Sequence, residues 1–290
     1  MKYQIIKNIH NNFSVFEKNK LFPRAYAVAY SSFEKLSETC FKKERYSSDM
    51  VTVLSGEWNF KFYKSINDVP DRLDTAKTRF DTVTIPSDWQ RTGYQEPVYL
   101  NCPYEIKTIA PEIPADMPVG VYRKTFNIEK LCAKHIISFL GVSNNLSLYV
   151  NGKFVGYSEG SHNTAEFDIT ALLTEGANEI LAVVFKWCNG TFLECQDMFR
   201  ENGIFRDVLL YNYPENYLYD YETVTEKTEN GYNLTVKTAL GDNKDCKVLA
   251  RIFDKEKNLI AEKEAEGETE ITFEGLGTPK SPFATLFILP

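Results

Sequence analysis

The feature that most constrains this chain is a two-residue turn. In the stretch YVNGKFVGYSEGSHNTAEFDIT, Tyr149 to Thr170, an Asn151-Gly152 pair separates two short apolar runs. Before the turn, Leu146, Leu148 and Val150 alternate with Ser147, Tyr149 and Asn151. A period of two marks a strand with two different faces. Asn-Gly supplies the positive φ angles of a primed turn, whose twist matches the flanking strands of a hairpin. Similar segments crowd the chain from Gly120 onward: VYRKTFNI, KHIISFLGV, NLSLYVNG, KFVGYSEG, AEFDIT, NEILAVVFKW and GIFRDVLLYNY. Short antiparallel strands with turns at this spacing predict an all-β protein built on a sandwich or jelly roll.

The rest of the chain divides by composition. Residues 1–50 are irregular and polar and read as an N-terminal arm. VTVLSGEWNFKFY, 51–63, reads as a hairpin turning at Ser55-Gly56, and SINDVPDRLDTAKTRF as the best helix candidate, with Pro70 in its first turn. FDTVTIPSDW returns to strand. Residues 86–119 carry Pro86, Pro97, Pro103, Pro111, Pro114 and Pro118, which predicts a long ordered loop, since proline removes ladder donors. A jelly-roll domain over 51–214 is expected, then a second, immunoglobulin-like sandwich over 217–290. That second stretch is shorter than the roughly 100 residues of a complete immunoglobulin-like domain. It ends on the apolar run SPFATLFILP, so the chain is expected to stop inside a larger architecture. An incomplete sandwich would leave an unpaired edge prone to self-association.

Composition excludes some partners. The net charge of -7 opposes binding to a phosphate backbone, which wants a basic face. No window approaches the roughly 18 apolar residues of a membrane span, and the N-terminus has no signal-peptide pattern. The six cysteines form no C-x-x-C pair and read as free thiols of a cytoplasmic protein, Cys188 and Cys195 included. Trp58, Trp89 and Trp187 sit in strand-like contexts that imply burial. A stand-alone carbohydrate-binding module, one rival reading, would instead need an exposed aromatic platform.

Chemistry concentrates in WCNGTFLECQDMFRENGIFRDV, Trp187 to Val208. It carries Glu194, Asp197, Glu201 and Asp207, with Arg200 and Arg206 among them. Acids and aromatics on one loop suit sugars: carboxylates accept from hydroxyls and rings stack on apolar sugar faces. The plain alternative is a solvated turn laced with charge pairs. A glycosidase pair drawn from Glu194, Asp197 and Glu201 would have to flank a bond about 5 to 9.5 Å apart; acids this dense on a loop are more often solvated or structural. His10, His135 and His162 lack metal-ligand spacing; His135 is expected to open a strand and His162 to lie in a loop. No phosphate loop or G-x-S-x-G elbow occurs.

GEWNFKFY, IPSDWQRTGYQEPVYLNCPYE, PVGVYRKTF, LYVNGKFVGYSEGSHNTAEFDIT and WCNGTFLECQDMFRENGIFRDVLLYNYP follow one another from Gly56 to Pro214. In that order the chain resembles bacterial β-galactosidases of glycoside hydrolase family two. The related β-glucuronidases and β-mannosidases share the hairpin and are the alternative relatives. The resemblance implies a galactose-binding-like jelly roll, then an immunoglobulin-like domain, then a catalytic barrel holding both catalytic glutamates, for which no α/β pattern is present here. The chain is therefore expected to be a non-catalytic N-terminal part. Its catalytic residues would be none, and its partner a β-galactoside. By the same resemblance Asn101, in YLNCPY, and Asp197, in CQDMF, contribute to the substrate pocket, and Asp197 to a sodium site. Sodium and magnesium serve the whole enzyme, with no complete site in this chain, and the whole enzyme is expected to be a homo-oligomer. Cys195 stands where an acid is common and Phe199 where tryptophan is common, which bears on substrate preference.

Overall fold

A computed structural model describes residues 1–38, 45–99, 106–194, 197–254, 256, 258–277 and the backbone of 283–289. They form two compact units, residues 1–22 with 51–212, and residues 23–50 with 213–290. The stretch 1–50, read from sequence as one arm, is thus shared between the two.

The first unit is a β-sandwich. Its larger sheet has seven strands, in the order Glu17–Lys18, Lys153–Glu159, Asn145–Val150, Gly176–Phe185, Val119–Ile128, Gly56–Tyr63, Asp81–Ile85. Its smaller sheet has four: Ala165–Asp168, Lys134–Phe139, Val208–Tyr213, Val51–Val53. The expected hairpin is present. Val150 pairs with Lys153 across a turn with φ of 48° at Asn151 and 85° at Gly152.

The larger sheet is buried on both faces. Ile180, Ala182 and Val184 point into the core between the sheets, with Leu146, Leu148 and Val150. Leu181, Val183 and Phe185 point the other way, into a second core with Tyr149, Tyr3, Ile5, Ile66, Val69 and Leu73. The uninterrupted apolar run ILAVVF follows from this, since a strand covered on both sides has no polar face. The segments 1–5 and 64–75 form the outer cover. They are fastened to the sheet through buried Glu179, which accepts from Tyr3 (2.9 Å), Thr75 (3.0 Å) and Arg123 (2.7 Å). Burial alone would raise the Glu179 carboxyl; its bonds from Arg123, Tyr3 and Thr75 outweigh that and hold it below the usual range.

Two segments depart from the sequence reading, the first of them in that outer layer. Residues 65–80 are not a helix. One 3₁₀ turn, Ile66–Asp68, is followed by a strand, Arg72–Asp74, paired with Lys2–Gln4. Ile66, Val69 and Leu73 all face the second core, and Pro70 cannot supply the bond a continuing helix needs. Nor do residues 51–63 form a hairpin. Val51–Val53 pairs with Val208–Tyr213 in the small sheet, while Gly56–Tyr63 pairs in the large one. The chain crosses between sheets at Leu54–Gly56, where Leu54 N–H donates to Val208 O (2.9 Å) and Ser55 Oγ to Asp207 (2.9 Å). Trp58, Trp89 and Trp187 are buried, as their contexts implied. His135 lies buried at the start of Lys134–Phe139, and His162 is exposed in a loop.

At one sheet edge, Gly156 allows a close approach. A Cβ there would stand 2.4 Å from Lys18 O and 2.6 Å from the Phe167 ring.

The second unit is an immunoglobulin-like sandwich of two three-stranded sheets. One orders Leu218–Thr228, Gly231–Leu240, Glu270–Leu276; the other Leu259–Glu266, Lys247–Phe253, Phe283–Leu289. The last strand pairs along its length with Lys247–Phe253. Val236, Leu240, Val248, Ile252, Ile271 and Phe273 fill the core. Residues 23–50 add to this unit: Phe33 stacks on Phe253 at 5.7 Å, and Ala25 N–H donates to Asp220 (2.7 Å).

Two stability predictions follow from these contacts. Half-buried Asn151 accepts from Glu179 N–H (2.9 Å) and donates to Leu172 O (2.9 Å) and Asn178 Oδ1 (2.8 Å), all from a left-handed backbone. Asn151→Ala should cost about 2–4 kcal/mol in urea unfolding, from lost bonds and backbone strain. Acid should also destabilise the fold through histidine. His10 stacks on Phe185 at 4.4 Å, its Nδ1 has no hydrogen-bond partner among the described residues, and burial pulls its pKa down to about 4. Its contribution is complete above the unfolded value near 6.5 and is lost as pH falls from there toward 4, in total roughly 3 kcal/mol. Burial likewise lowers His135, whose Nε2 accepts from Cys132 N–H (2.9 Å). Unfolding measured from pH 8 to pH 4 should show this loss, and His10→Phe should flatten it.

Candidate functional site

Two loops meet because the backbone between them is stitched. Ser87 N–H donates to Ile204 O (2.9 Å) and Trp89 N–H to Asn202 O (2.8 Å). The Gln90 and Asn202 side chains add to this, Gln90 Oε1 accepting from Asn202 N–H (3.0 Å) and Gln90 Nε2 donating to Asn202 Oδ1 (3.3 Å). Gly203, at φ 126°, lets the chain pass where a Cβ would lie 2.7 Å from the Tyr122 hydroxyl. The proline-rich loop therefore starts beside the segment that carries the acids. Further along, Val98–Tyr99 pairs with Phe199–Arg200, setting Tyr99 opposite Phe199.

Asp197 sits at this junction. It is exposed, and its φ of 56° places it in the left-handed region. The Tyr99 hydroxyl donates to Asp197 Oδ1, and this bond to the carboxylate raises the Tyr99 phenol pKa. The rings of Tyr99 and Phe199 meet edge to face at 5.7 Å and remain 44% and 57% exposed. A carboxylate between two exposed rings can accept from sugar hydroxyls while a ring covers an apolar sugar face. Asn101, the other expected pocket residue, lies outside the described residues, as does Cys195.

The remaining acids of this segment hold the loops. Glu194 accepts from Ser161 N–H (2.7 Å) and Ser161 Oγ (2.6 Å). Glu201 faces Arg91 at 3.7 Å, which also meets Asp88 at 3.1 Å. Asp207 accepts from Ser55 Oγ at the sheet crossover. Arg206 donates to His162 O (3.1 Å), and Arg200 to Thr191 O (2.8 Å) and Glu194 O (3.0 Å). Glu159, outside the segment, accepts from Tyr157 (2.8 Å), Gly190 N–H (2.9 Å) and Asn189 Nδ2 (3.2 Å). Burial raises its carboxyl, and burial likewise raises the neighbouring Cys188 thiol. Sequence reading found Asp197 and noted Phe199 but missed Tyr99 as the partner of both. The signal is positional: Tyr99 stands two residues before Asn101, and Phe199 two after Asp197.

Beside Val98 runs a shallow cleft of about 380 Å³, lined by Phe62, Lys64, Tyr94, Gln95, Glu96 and Lys186 among others. Among the described residues no three His, Cys, Asp or Glu side chains group as a metal site. Asp197 alone offers a hard carboxylate oxygen, fit to serve as one ligand of an alkali cation and too little to hold one.

Comparison with known proteins adds the family. The β-galactosidase of Actinobacillus pleuropneumoniae is 37% identical over 218 residues, 75% of this chain and 21% of that protein. That of Alteromonas mediterranea is 33% identical over 261 residues, 86% of this chain and 24% of that protein. The chain thus spans between a fifth and a quarter of the length of these curated relatives. Among solved structures, a β-glucuronidase of an uncultured Clostridium superposes with TM-score 0.56 at 16% identity, over 82% of this chain and 42% of that one. A Bifidobacterium dentium β-glucuronidase gives TM-score 0.58 at 17% identity, over 84% and 46%. At such identity these structures speak for the fold alone. Residues 51–214 match the sugar binding domain of glycosyl hydrolases family 2, the stretch that contains both stitched loops and all of the sandwich but its edge strand Glu17–Lys18, and the chain belongs to that family.

Proposed function

We propose that this chain is the sugar-binding and immunoglobulin-like part of a β-galactosidase. The whole enzyme would hydrolyse terminal β-D-galactosides. The observation that carries this reading is the exposed carboxylate of Asp197, held by Tyr99 and flanked by Phe199, on a scaffold that shares 37% identity with a β-galactosidase. Asp197 and Asn101 would contribute to the galactose pocket, and Asp197 would supply one oxygen ligand to sodium. Magnesium would be held by residues of the whole enzyme beyond these two domains. The two catalytic carboxylates would come from a further domain, because Glu194 and Asp207 are hydrogen-bonded to Ser161 and Ser55 and Glu201 lies in an ion pair with Arg91. The whole enzyme is proposed to be a cytoplasmic homo-oligomer.

Two measurements test this. The purified chain, given a chromogenic aryl galactoside with sodium and magnesium, should show no turnover; robust turnover would return Glu194, Asp197 and Glu201 to candidacy. Methyl β-galactoside added to isotopically labelled chain should shift the amides of Tyr99, Asp197 and Phe199. Its affinity should be about millimolar or weaker, since one or two hydrogen bonds in water contribute about 1 kcal/mol each. Asp197→Asn should abolish the shifts. Micromolar affinity would favour a stand-alone carbohydrate-binding module.

A further inference from the structure

Arg200 is buried, 2% exposed, three residues after an exposed acid. Its guanidinium does not face solvent as loop arginines commonly do. One nitrogen donates to Thr191 O (2.8 Å), another to Glu194 O (3.0 Å), and the group lies over the Trp187 ring at 5.6 Å. Thr191 and Glu194 precede Asp197, and Arg200 follows it. One planar fork thus joins both flanks of the turn and rests it on a buried indole. The backbone of Arg200 meanwhile pairs with Val98, fixing the neighbouring Tyr99 opposite Phe199. Glu194, whose carbonyl Arg200 holds, is tied through its carboxylate to Ser161.

We propose that Arg200 is the positioning residue for Asp197: by bridging Thr191 O and Glu194 O over Trp187, it sets the turn that brings the Asp197 carboxylate to the Tyr99 hydroxyl. This rests on the reading of Asp197 as the sugar-facing group, but the geometry can be tested without a sugar. A lysine cannot reproduce the fork, because its ammonium is a point donor without the rigid pair of nitrogens.

The reporter is the Tyr99 ring, whose hydroxyl donates to Asp197 and which meets Phe199 edge to face. Its Cζ chemical shift at one fixed pH would be followed by carbon NMR in the whole 290-residue chain, together with the nuclear Overhauser contact between the Tyr99 and Phe199 rings. Asp197→Asn, as control, should move the Tyr99 Cζ shift toward that of an ordinary exposed tyrosine. Arg200→Met and Arg200→Lys should move it in the same direction, with the methyl signals of Ile180 and Val184 unmoved. A folded Arg200→Met chain in which the Tyr99 Cζ shift stays as before would overturn the proposal. So would a control that leaves Tyr99 unchanged, because the bond would then be absent. If Arg200→Met does not fold, Arg200→Lys, which keeps the charge and most of the volume, decides by the same criterion. Galactoside-induced shifts at Asp197 in the unchanged chain test the sugar reading separately; their absence would remove that reading and leave the positioning role standing.

Discussion

A strand with two apolar faces cannot choose its register by hydrophobicity. Sliding Gly176–Phe185 by one residue would exchange Ile180, Ala182 and Val184 for Leu181, Val183 and Phe185. Both sets are suited to burial, so the usual penalty for a slip is small. The polar pair at the start of the strand removes the ambiguity. Asn178 accepts from Thr174 N–H (3.0 Å) and from Asn151 (2.8 Å), while Glu179 turns outward to Arg123, Tyr3 and Thr75. In a slipped register the carboxylate would point into the inner core, where an unpaired charge is far too costly. The Asn-Gly turn joins the same network, so the hairpin and the central strand fix each other.

Around that frame the loops are held by acidic side chains, of which Glu194 and Glu201 read in the sequence as possible catalytic carboxylates. Glu159, Glu194 and Asp207 each satisfy donors of a neighbouring loop or strand, and Glu201 pairs with Arg91. A buried carboxylate accepting backbone N–H groups is an efficient tie, because it can serve two or three orphaned donors at once. Asp197 differs in geometry: it is exposed and strained in φ, and its described partner is a tyrosine at the surface. The contrast among these acids separates the scaffold from the group left facing outward.

Much of this was legible in the residues. Asn151-Gly152 and the alternation before it gave the hairpin, and the spacing of strands gave the sandwich. The context of the three tryptophans gave their burial. What escaped was the outer layer. Ile66, Val69 and Leu73 fall at spacings of three and four, which reads as a helix face, yet they line one side of an irregular cover whose shape is set by the sheet beneath. Residues 51–63 misled for a related reason: a strand, a Ser-Gly corner and another strand look like a hairpin unless the partner of the first strand is known, and that partner lies more than 150 residues away, at Leu209–Tyr211. In the site, Asp197 was found through resemblance. Its tyrosine and its arginine fork are long-range or backbone contacts that no local pattern encodes.

Gly156 has a further consequence at the rim of the large sheet. Because it lacks a side chain, the segment at Glu17–Lys18 can lie against Lys153–Glu159 and pair with Tyr157 and Ser158. That short addition occupies donors and acceptors that would otherwise face outward as a template for a neighbouring molecule. A side chain at Gly156 would push the segment off and uncover them. The smallest residue in the hairpin therefore guards against clumping: its replacement would show first in how the protein behaves when concentrated, before any change at Asp197.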